Sequence, residues 1–293
     1  MMLSGALSNA VETAISAAVG APFRIVSVTP VSGGCIHQSY TIASHSQRFF
    51  VKCNEAALAA AFSAEADGLA ALAAAGARVP APVCCGAGDA YAFIVLEHLQ
   101  LDSSGNWADM GRMLAATHRA TFARFGWERA NFIGATPQEN TWHESWLDFW
   151  RDERLAPQLA LAQANGLDAR IAGLGERVIN ALPRLLEGHA PVPSLLHGDL
   201  WSGNVGFTDA GQPVAFDPAV YYGDREADIA MTELFGGFPR SFYAAYREAW
   251  PLERGYAARR DLYNLYHILN HANLFGGSYA GQAAAMMERL LQR

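Results

Sequence analysis

The stretch His197-Gly198-Asp199-Leu200-Trp201-Ser202-Gly203-Asn204, with Asp217-Pro218 following thirteen residues after Asn204, decides how this chain is read. Apolar Leu195-Leu196 leads into it, as a short buried strand would. Between Asn204 and Asp217, Val205-Gly206-Phe207 and Val214-Ala215-Phe216 flank Thr208–Pro213, whose Asp209-Ala210-Gly211 is turn material, so a hairpin is expected. Singly, Gly-Asp and Ser-Gly-Asn are ordinary turn formers. As an ordered set they place a carboxylate and a carboxamide before one hairpin and a second carboxylate after it.

Upstream, Lys52 stands out. The chain has 21 basic residues, and reading through them shows that all but Lys52 are arginine. A codon bias toward arginine explains the majority, so the one retained lysine asks for a chemical reason. A strand over Arg48–Cys53 puts Lys52 on the face of Phe50. In the helix expected next, Phe62, Glu65, Leu69 and Leu72 recur at steps of three, four and three, so a carboxylate sits in an apolar stripe. Such a group needs a cation or must take up a proton. Lys52 is the candidate partner. Taken alone, the pair leaves open a second reading, with Glu65 at the stripe's edge and Lys52 reaching solvent.

The chain divides by character. A first helix is expected with Asn9 and Glu12 as a capping box, ending near Gly20-Ala21-Pro22. Strand-like runs follow at Arg24–Val31, Gln38–Ala43 and Arg48–Cys53, then the helix ending near Gly76, then strands at Ala81–Cys85 and Ala90–Leu96. From Asp102 helical periodicity dominates, over Trp107–Phe122, Glu144–Asn165, Ile171–Leu186, Phe238–Trp250, Arg259–Ala272 and Gly281–Leu291. The reading is α+β: a small antiparallel lobe carrying one helix, residues 1–98, joined near Glu97–Leu101 to a larger, mainly helical lobe, residues 99–293.

Phosphoryl transfer from ATP needs the groups quoted first. One carboxylate orients the acceptor hydroxyl and takes its proton, while an amide oxygen and a second carboxylate hold Mg²⁺ against the phosphates. The order His-x-Asp-x₄-Asn, then a metal-binding Asp, is the layout of a kinase catalytic loop, and Lys52 and Glu65 precede it at kinase-like positions. The departures from protein kinases are Asp217-Pro218 in place of Asp-Phe-Gly, no Ala-Pro-Glu segment, and Trp201 in place of lysine. They point to a small-molecule kinase.

The longer words are closer still. His197–Asn204, Asp217-Pro218-Ala219-Val220-Tyr221-Tyr222-Gly223-Asp224-Arg225-Glu226-Ala227-Asp228-Ile229-Ala230-Met231, Leu234–Phe238, Leu262–His271, Gly33-Gly34-Cys35-Ile36 and Phe49-Phe50-Val51-Lys52 closely resemble the fructosamine (ketosamine) kinase family, over about Ile25–Leu291. The resemblance implies a bilobal, protein-kinase-like fold of the aminoglycoside-kinase type. It also implies use of ATP and Mg²⁺ to phosphorylate a sugar hydroxyl, commonly O3, of fructosamines or ribulosamines. On the matching positions it makes Asp199 the catalytic base and Asn204 and Asp217 the metal ligands. It makes Lys52, paired with Glu65, the phosphate contact, and Glu97, His98 and Leu99 the backbone that holds adenine.

Other candidates are read from their surroundings. Gly33 and Gly34, with Cys35, lie between two expected strands, where glycine lets backbone N–H groups approach phosphate; a plain hairpin turn is the alternative. The resembled family usually has asparagine where this chain has His37. Asp228 is expected to accept backbone N–H bonds and pin the His197–Asp199 loop. Trp201, Tyr222 and Glu226 are candidates for substrate contact. Cys53, Cys84 and Cys85 are expected to pack in the core, Trp142, Trp146 and Trp150 to form a packing stripe, and His267 and His271 not to hold metal. The alternatives for function are another kinase of the same fold, acting on an aminoglycoside or choline, and a nucleotide-binding pseudo-kinase.

Composition narrows the rest. A net charge of −7 argues against a sequence-independent grip on nucleic acid. No charged segment precedes an apolar run at the start, and Ala56–Gly76 carries Glu65 and Asp67, so neither a signal peptide nor a membrane span is expected. Four cysteines with no Cys-x-x-Cys pair suit a reducing cytoplasm.

Overall fold

The computed structural model describes residues 4–31 and 36–292; the expected phosphate loop at Gly33, Gly34 and Cys35 lies outside the described residues. In chain order the elements begin with α1 (Gly5–Val19), β1 (Ser27–Val31), β2 (Gln38–Ala43), β3 (Arg48–Asn54), α2 (Ala59–Ala74), β4 (Pro82–Ala87) and β5 (Ala92–Glu97). Next come α3 (Trp107–His118), β6 (Asn131–Ile133), β7 (Thr136–Gln138), α4 (Trp146–Phe149), α5 (Ala156–Ala164), α6 (Ala169–Leu185) and β8 (Ser194–Leu196). The last are β9 (Val205–Phe207), β10 (Pro213–Ala215), β11 (Tyr221–Gly223), α7 (Glu226–Leu234), α8 (Arg240–Ala249), α9 (Tyr256–Phe275) and α10 (Tyr279–Leu291).

These elements form two compact units, Met1–Asn106 with Gly206–Asp217, and Trp107–Val205 with Pro218–Arg293. The first division thus falls after Asn106 instead of near residue 98, and the β9–β10 hairpin joins the first unit. Backbone bonds explain why: Asp102 and Phe207 exchange N–H···O bonds at 2.8 and 2.9 Å, the Asn106 N–H donates to Gly211 O, and the Ala215 N–H donates to Arg78 O.

In the first unit, five antiparallel strands run in the order β1-β2-β3-β5-β4. Phe49, Val51 and Cys53 of β3 cluster with Val11 and Ile15 of α1, which leaves Phe50 and Lys52 on the other face. Phe62, Leu69 and Leu72 of α2 are buried. The segment Ala56–Ala74 is long and apolar enough to cross a membrane by length and composition, and the larger side chains of its apolar stripe are buried within the protein. The start of α1 differs from expectation. Ser4 caps it, accepting from the Leu7 N–H at 3.3 Å, while Asn9 lies inside the helix. Glu12 instead accepts from Arg24 Nη1 at 2.6 Å and the Ile25 N–H at 2.8 Å, so β1 begins only at Ser27.

In the second unit, α3 packs on α8, and α9 packs on α7 and α10. Two expected helices are modified. The one starting at Trp107 stops at His118, because beyond it Ala120 O accepts the Leu195 N–H and the Phe122 N–H donates to Pro193 O. The one expected over Glu144–Asn165 is interrupted by a π-helical stretch, Trp150–Leu155. That widening turns Arg154 inward, where it is fully buried, lies over the Tyr221 ring at 4.0 Å and donates to Glu139 O and Asn140 Oδ1. Trp146 and Trp150 are buried, but Trp142 lies apart from them in an aromatic cluster with Phe122 and Tyr222. Cys85 is exposed, not core; Cys53 alone of the three described cysteines is buried.

Two ion pairs brace the interior behind β11. Arg259 donates to both oxygens of Glu226 at 2.7 and 2.8 Å, and both residues are buried. Beside them Asp224 accepts from Tyr263 and lies 2.6 Å from His189 Nε2. His189, Asp224 and Glu226 bring three ligand-type atoms within 4.8 Å, but the bonds just described already engage each of them. Removing one partner of a buried pair leaves the other charge uncompensated. Arg259→Met should therefore lower unfolding stability by about 3–5 kcal/mol in urea titration, and a Glu226→Met change added to it should recover much of that loss.

Candidate active site

Lys52 is the centre of the first unit's charged cluster. Its side chain is 7 % exposed, and its Nζ donates to Glu65 Oε1 at 2.6 Å and to Asp217. Glu65 comes from the middle of α2 and Asp217 from the residue that closes the hairpin segment. Burial works against the charge on Lys52, but Asp217 and then Glu65 outweigh it and hold the ammonium above its ordinary range. Burial also raises the Glu65 carboxyl, and Lys52 opposes that rise. Asp217 has φ +58°, the one positive φ among the described non-glycine residues, and it stands directly before proline. Both features disfavour this conformation, which persists only where surroundings enforce it. Its side chain remains 45 % exposed, so one carboxylate edge is open to a ligand.

His37 sits beside this cluster. Its Nδ1 lies 3.1 Å from Asn54 Nδ2, which can only donate, and its ring packs on Phe62 at 4.9 Å. Burial, reinforced by the charge of Lys52, pushes the imidazole down to about 4. A neutral acceptor at this position matches the asparagine contact.

The second unit holds Asp199 and Asn204. The Asn204 amide nitrogen donates to Asp199 O at 2.8 Å and Asp199 Oδ2 at 3.2 Å, which leaves the amide oxygen as an acceptor for a cation. His197 is buried, and its Nδ1 accepts the Asp199 N–H at 3.3 Å. Gly198 has φ +82°, and a Cβ there would lie 2.0 Å from Ala219 O, so the turn before Asp199 requires glycine. Asp228, on α7, accepts the His197 N–H at 2.7 Å and the Gly198 N–H at 2.9 Å. It also lies 3.1 Å from His118 Nε2, a residue the motifs gave no means to find. Burial opposes the charge on Asp228, and the bonds and charge from His118 and the charge of His197 bring its carboxyl below the ordinary value.

The remaining candidates divide. Trp201 is 37 % exposed, and its ring approaches Phe235, which in turn packs on His271. Tyr222 stacks on Phe122 at 5.1 Å and packs with Trp127 at 5.5 Å. Glu226 is corrected: it is buried and held by Arg259, so the interior claims it instead of a substrate. The Glu97 carboxylate is engaged by both Nη atoms of Arg78, at 2.8 and 2.7 Å, so any role in holding a base falls to the backbone of residues 97–99.

The model for the family described as fructosamine kinase matches residues 7–293. The chain belongs to the fructosamine kinase family. A relative from Synechocystis named "Probable ketoamine kinase" is 48 % identical over 285 residues, covering 95 % of each chain. The chloroplastic protein-ribulosamine 3-kinase of Arabidopsis thaliana is 41 % identical over 280 residues, covering 93 % of this chain and 85 % of its own. A Haemophilus somnus structure described as "Putative fructosamine-3-kinase" superposes with TM-score 0.88 at 29 % identity, over 97 % of each chain. An aminoglycoside phosphotransferase crystallised with ADP and hygromycin B superposes with TM-score 0.64 at 16 % identity, over 96 % of this chain and 98 % of that one. The fructosamine kinase family member described here therefore has the protein-kinase-like fold of the aminoglycoside phosphotransferases.

A guanidinium is a wide planar fork, whereas Lys52 presents a compact charge to two carboxylates. Lys52→Arg should lower kinase activity by roughly 10²-fold, as expected for a displacement of about 1 Å in a positioned group, with turnover measured on the purified variant. A second expectation concerns acid. His267, fully buried on α9, has its imidazole pushed down to about 3 by burial. Between the ordinary histidine value and that figure the unfolded chain binds a proton that the folded one does not. Stability should therefore fall as pH drops from about 6.5, and His267→Gln should flatten that acid limb in urea melts at pH 4–7.

Proposed function

We propose that this protein is an ATP-dependent kinase that phosphorylates a sugar hydroxyl, O3 being favoured, of ketosamines such as fructosamines and ribulosamines. The observation that carries the reading is the local geometry of the two motif segments, each within its own unit. A buried lysine is held between two carboxylates, and an asparagine amide is tied to the loop carboxylate with its oxygen left over. The family membership and the names of its relatives support the substrate class.

The donor chemistry suits Mg²⁺, which takes oxygen ligands: the Asn204 amide oxygen and the Asp217 carboxylate, matched to the family motif, are the groups that would hold it. When bound, the ion neutralises charge on the phosphates during transfer. Asp199 orients the acceptor hydroxyl and takes its proton. Lys52 holds phosphate oxygens, with Glu65 fixing its ammonium. Backbone at Glu97, His98 and Leu99 would receive adenine, and Gly33, Gly34 and Cys35 keep the phosphate-loop role that their sequence suggests. Trp201 offers a ring face to the sugar. Tyr222 is a further substrate contact. The three described cysteines are free, which supports a reducing compartment, and we place the enzyme in the cytoplasm.

The test is a kinase assay on fructosyl-lysine, ribulosyl-lysine, choline and an aminoglycoside, with NMR of the phosphorylated product. Phosphorylation of a ketosamine above the other acceptors is expected; preference for choline or the aminoglycoside would replace the reading. Asp199→Asn should lower turnover by about 10²–10⁴-fold while nucleotide affinity is retained. Near-native turnover in that variant would remove Asp199 from the mechanism.

A further inference from the structure

The catalytic loop is held by a chain of bonds that starts on the far side of the second unit's core. Arg225 Nη1 donates to Tyr246 Oη at 3.1 Å, and Tyr246 Oη lies 2.8 Å from His118 Nδ1. His118 Nε2 lies 3.1 Å from Asp228 Oδ2, and Asp228 receives the backbone N–H groups of His197 and Gly198. His118 is fully buried on α3, Tyr246 is buried on α8, and Asp228 is buried on α7. Three helices therefore meet at one imidazole.

With His118 neutral, the chemistry of the groups sets the direction of each hydrogen bond. A guanidinium only donates, so Tyr246 Oη accepts from Arg225. Burial raises the Tyr246 phenol, so its proton stays on oxygen and is free to be given to His118 Nδ1. An ionised carboxylate only accepts, so His118 must present N–H at Nε2. The opposite tautomer would set a ring lone pair against Asp228. The tautomer is thus assigned from the network, and Arg225 orients it from two residues away. Arg225 is itself fixed by Trp250 O and Pro251 O and by the Trp250 ring beneath its guanidinium.

Asp228 has both oxygens committed. Oδ2 receives the His197 N–H and the imidazole, and Oδ1 receives the Gly198 N–H. Without the imidazole its buried carboxylate is held only by the two loop N–H groups, and nothing on the side of α3 fixes where it presents its oxygens to them. Those N–H groups belong to the two residues before Asp199, in a turn whose only route is through left-handed Gly198.

We propose that His118 is a positioning residue for phosphoryl transfer, and that Tyr246 and Arg225 act through it to set the orientation of Asp228 and so of Asp199. The role rests on the reading of Asp199 as the group that receives the acceptor hydroxyl. His118 is fully buried and offers no surface to a ligand, so its loss lowers kcat without changing affinity for ATP.

The experiment compares His118→Leu, His118→Gln and Tyr246→Phe in the full chain, with Asp199→Asn and the buried α3 variant Leu114→Ala as references. Kinetics are read at a temperature where urea and thermal melts show each protein fully folded. His118→Leu should lower kcat by roughly 10- to 100-fold with KM for ATP unchanged. Gln places an N–H donor near the Nε2 position and should restore most of the loss; Tyr246→Phe, which leaves Nδ1 without its hydroxyl partner and the ring less firmly oriented, should fall between. Leu114→Ala should lower thermal stability but leave kcat near native. A His118→Leu enzyme with native kcat, or one whose loss follows its Tm along the same line as Leu114→Ala, overturns the proposal. Activity retained in Asp199→Asn would instead remove the reading on which it rests.

Discussion

A buried ammonium with no carboxylate beside it would be expelled to solvent or lose its proton. That constraint organises the first unit. Lys52 is inside, so α2 must bring Glu65 to it from one direction and the end of the hairpin segment must bring Asp217 from another. The β9–β10 hairpin is distant in sequence from the five-stranded sheet, yet it is bonded into the same unit through Asp102, Asn106 and Arg78. Asp217 is left-handed although it precedes proline, and its carboxylate accepts from Lys52 in that conformation. One charge therefore meets a carboxylate from a helix and another from the end of a hairpin that backbone bonds hold in the same unit.

The second unit solves a different problem, which is how to hold a loop whose side chains must stay open for chemistry. It uses backbone. Asp228 grips peptide N–H groups on one side of Asp199, and the Asn204 amide grips its carbonyl on the other. The side chain of Asp199 is anchored at both flanks without being enclosed. The buried Arg259–Glu226 pair and the Arg154 stack hold the scaffold from behind, at positions where charge would otherwise be costly.

Much of this was legible in the sequence because the chemistry is local. His197–Asn204 and Asp217 carry their meaning in spacing, and the three-four-three steps of Phe62, Glu65, Leu69 and Leu72 put a carboxylate in an apolar stripe, where Lys52 is the candidate partner. What stayed hidden depends on contacts between distant segments. Glu226 looked free beside the motif because Arg259, its partner, lies on another helix. His118 sits 79 residues before His197, a separation that signals nothing until the chain folds. Asn9 resembled a cap because its local word was right, but Ser4 starts the helix earlier and Glu12 is drawn off by Arg24. The division of the chain was set too early because hydrogen bonding after Leu101, not composition, decides which unit the hairpin joins.

The solitary lysine has a consequence outside catalysis. Sugars condense with a side-chain amine only if it is reachable and unprotonated. Lys52 is neither: its side chain is 7 % exposed, and two carboxylates keep the proton on it. Every other basic side chain apart from histidine is a guanidinium. A chain assigned to sugar-modified amines thus offers reducing sugars no accessible lysine of its own, and whatever lysine chemistry its surroundings undergo, its folded form is chemically aloof from it.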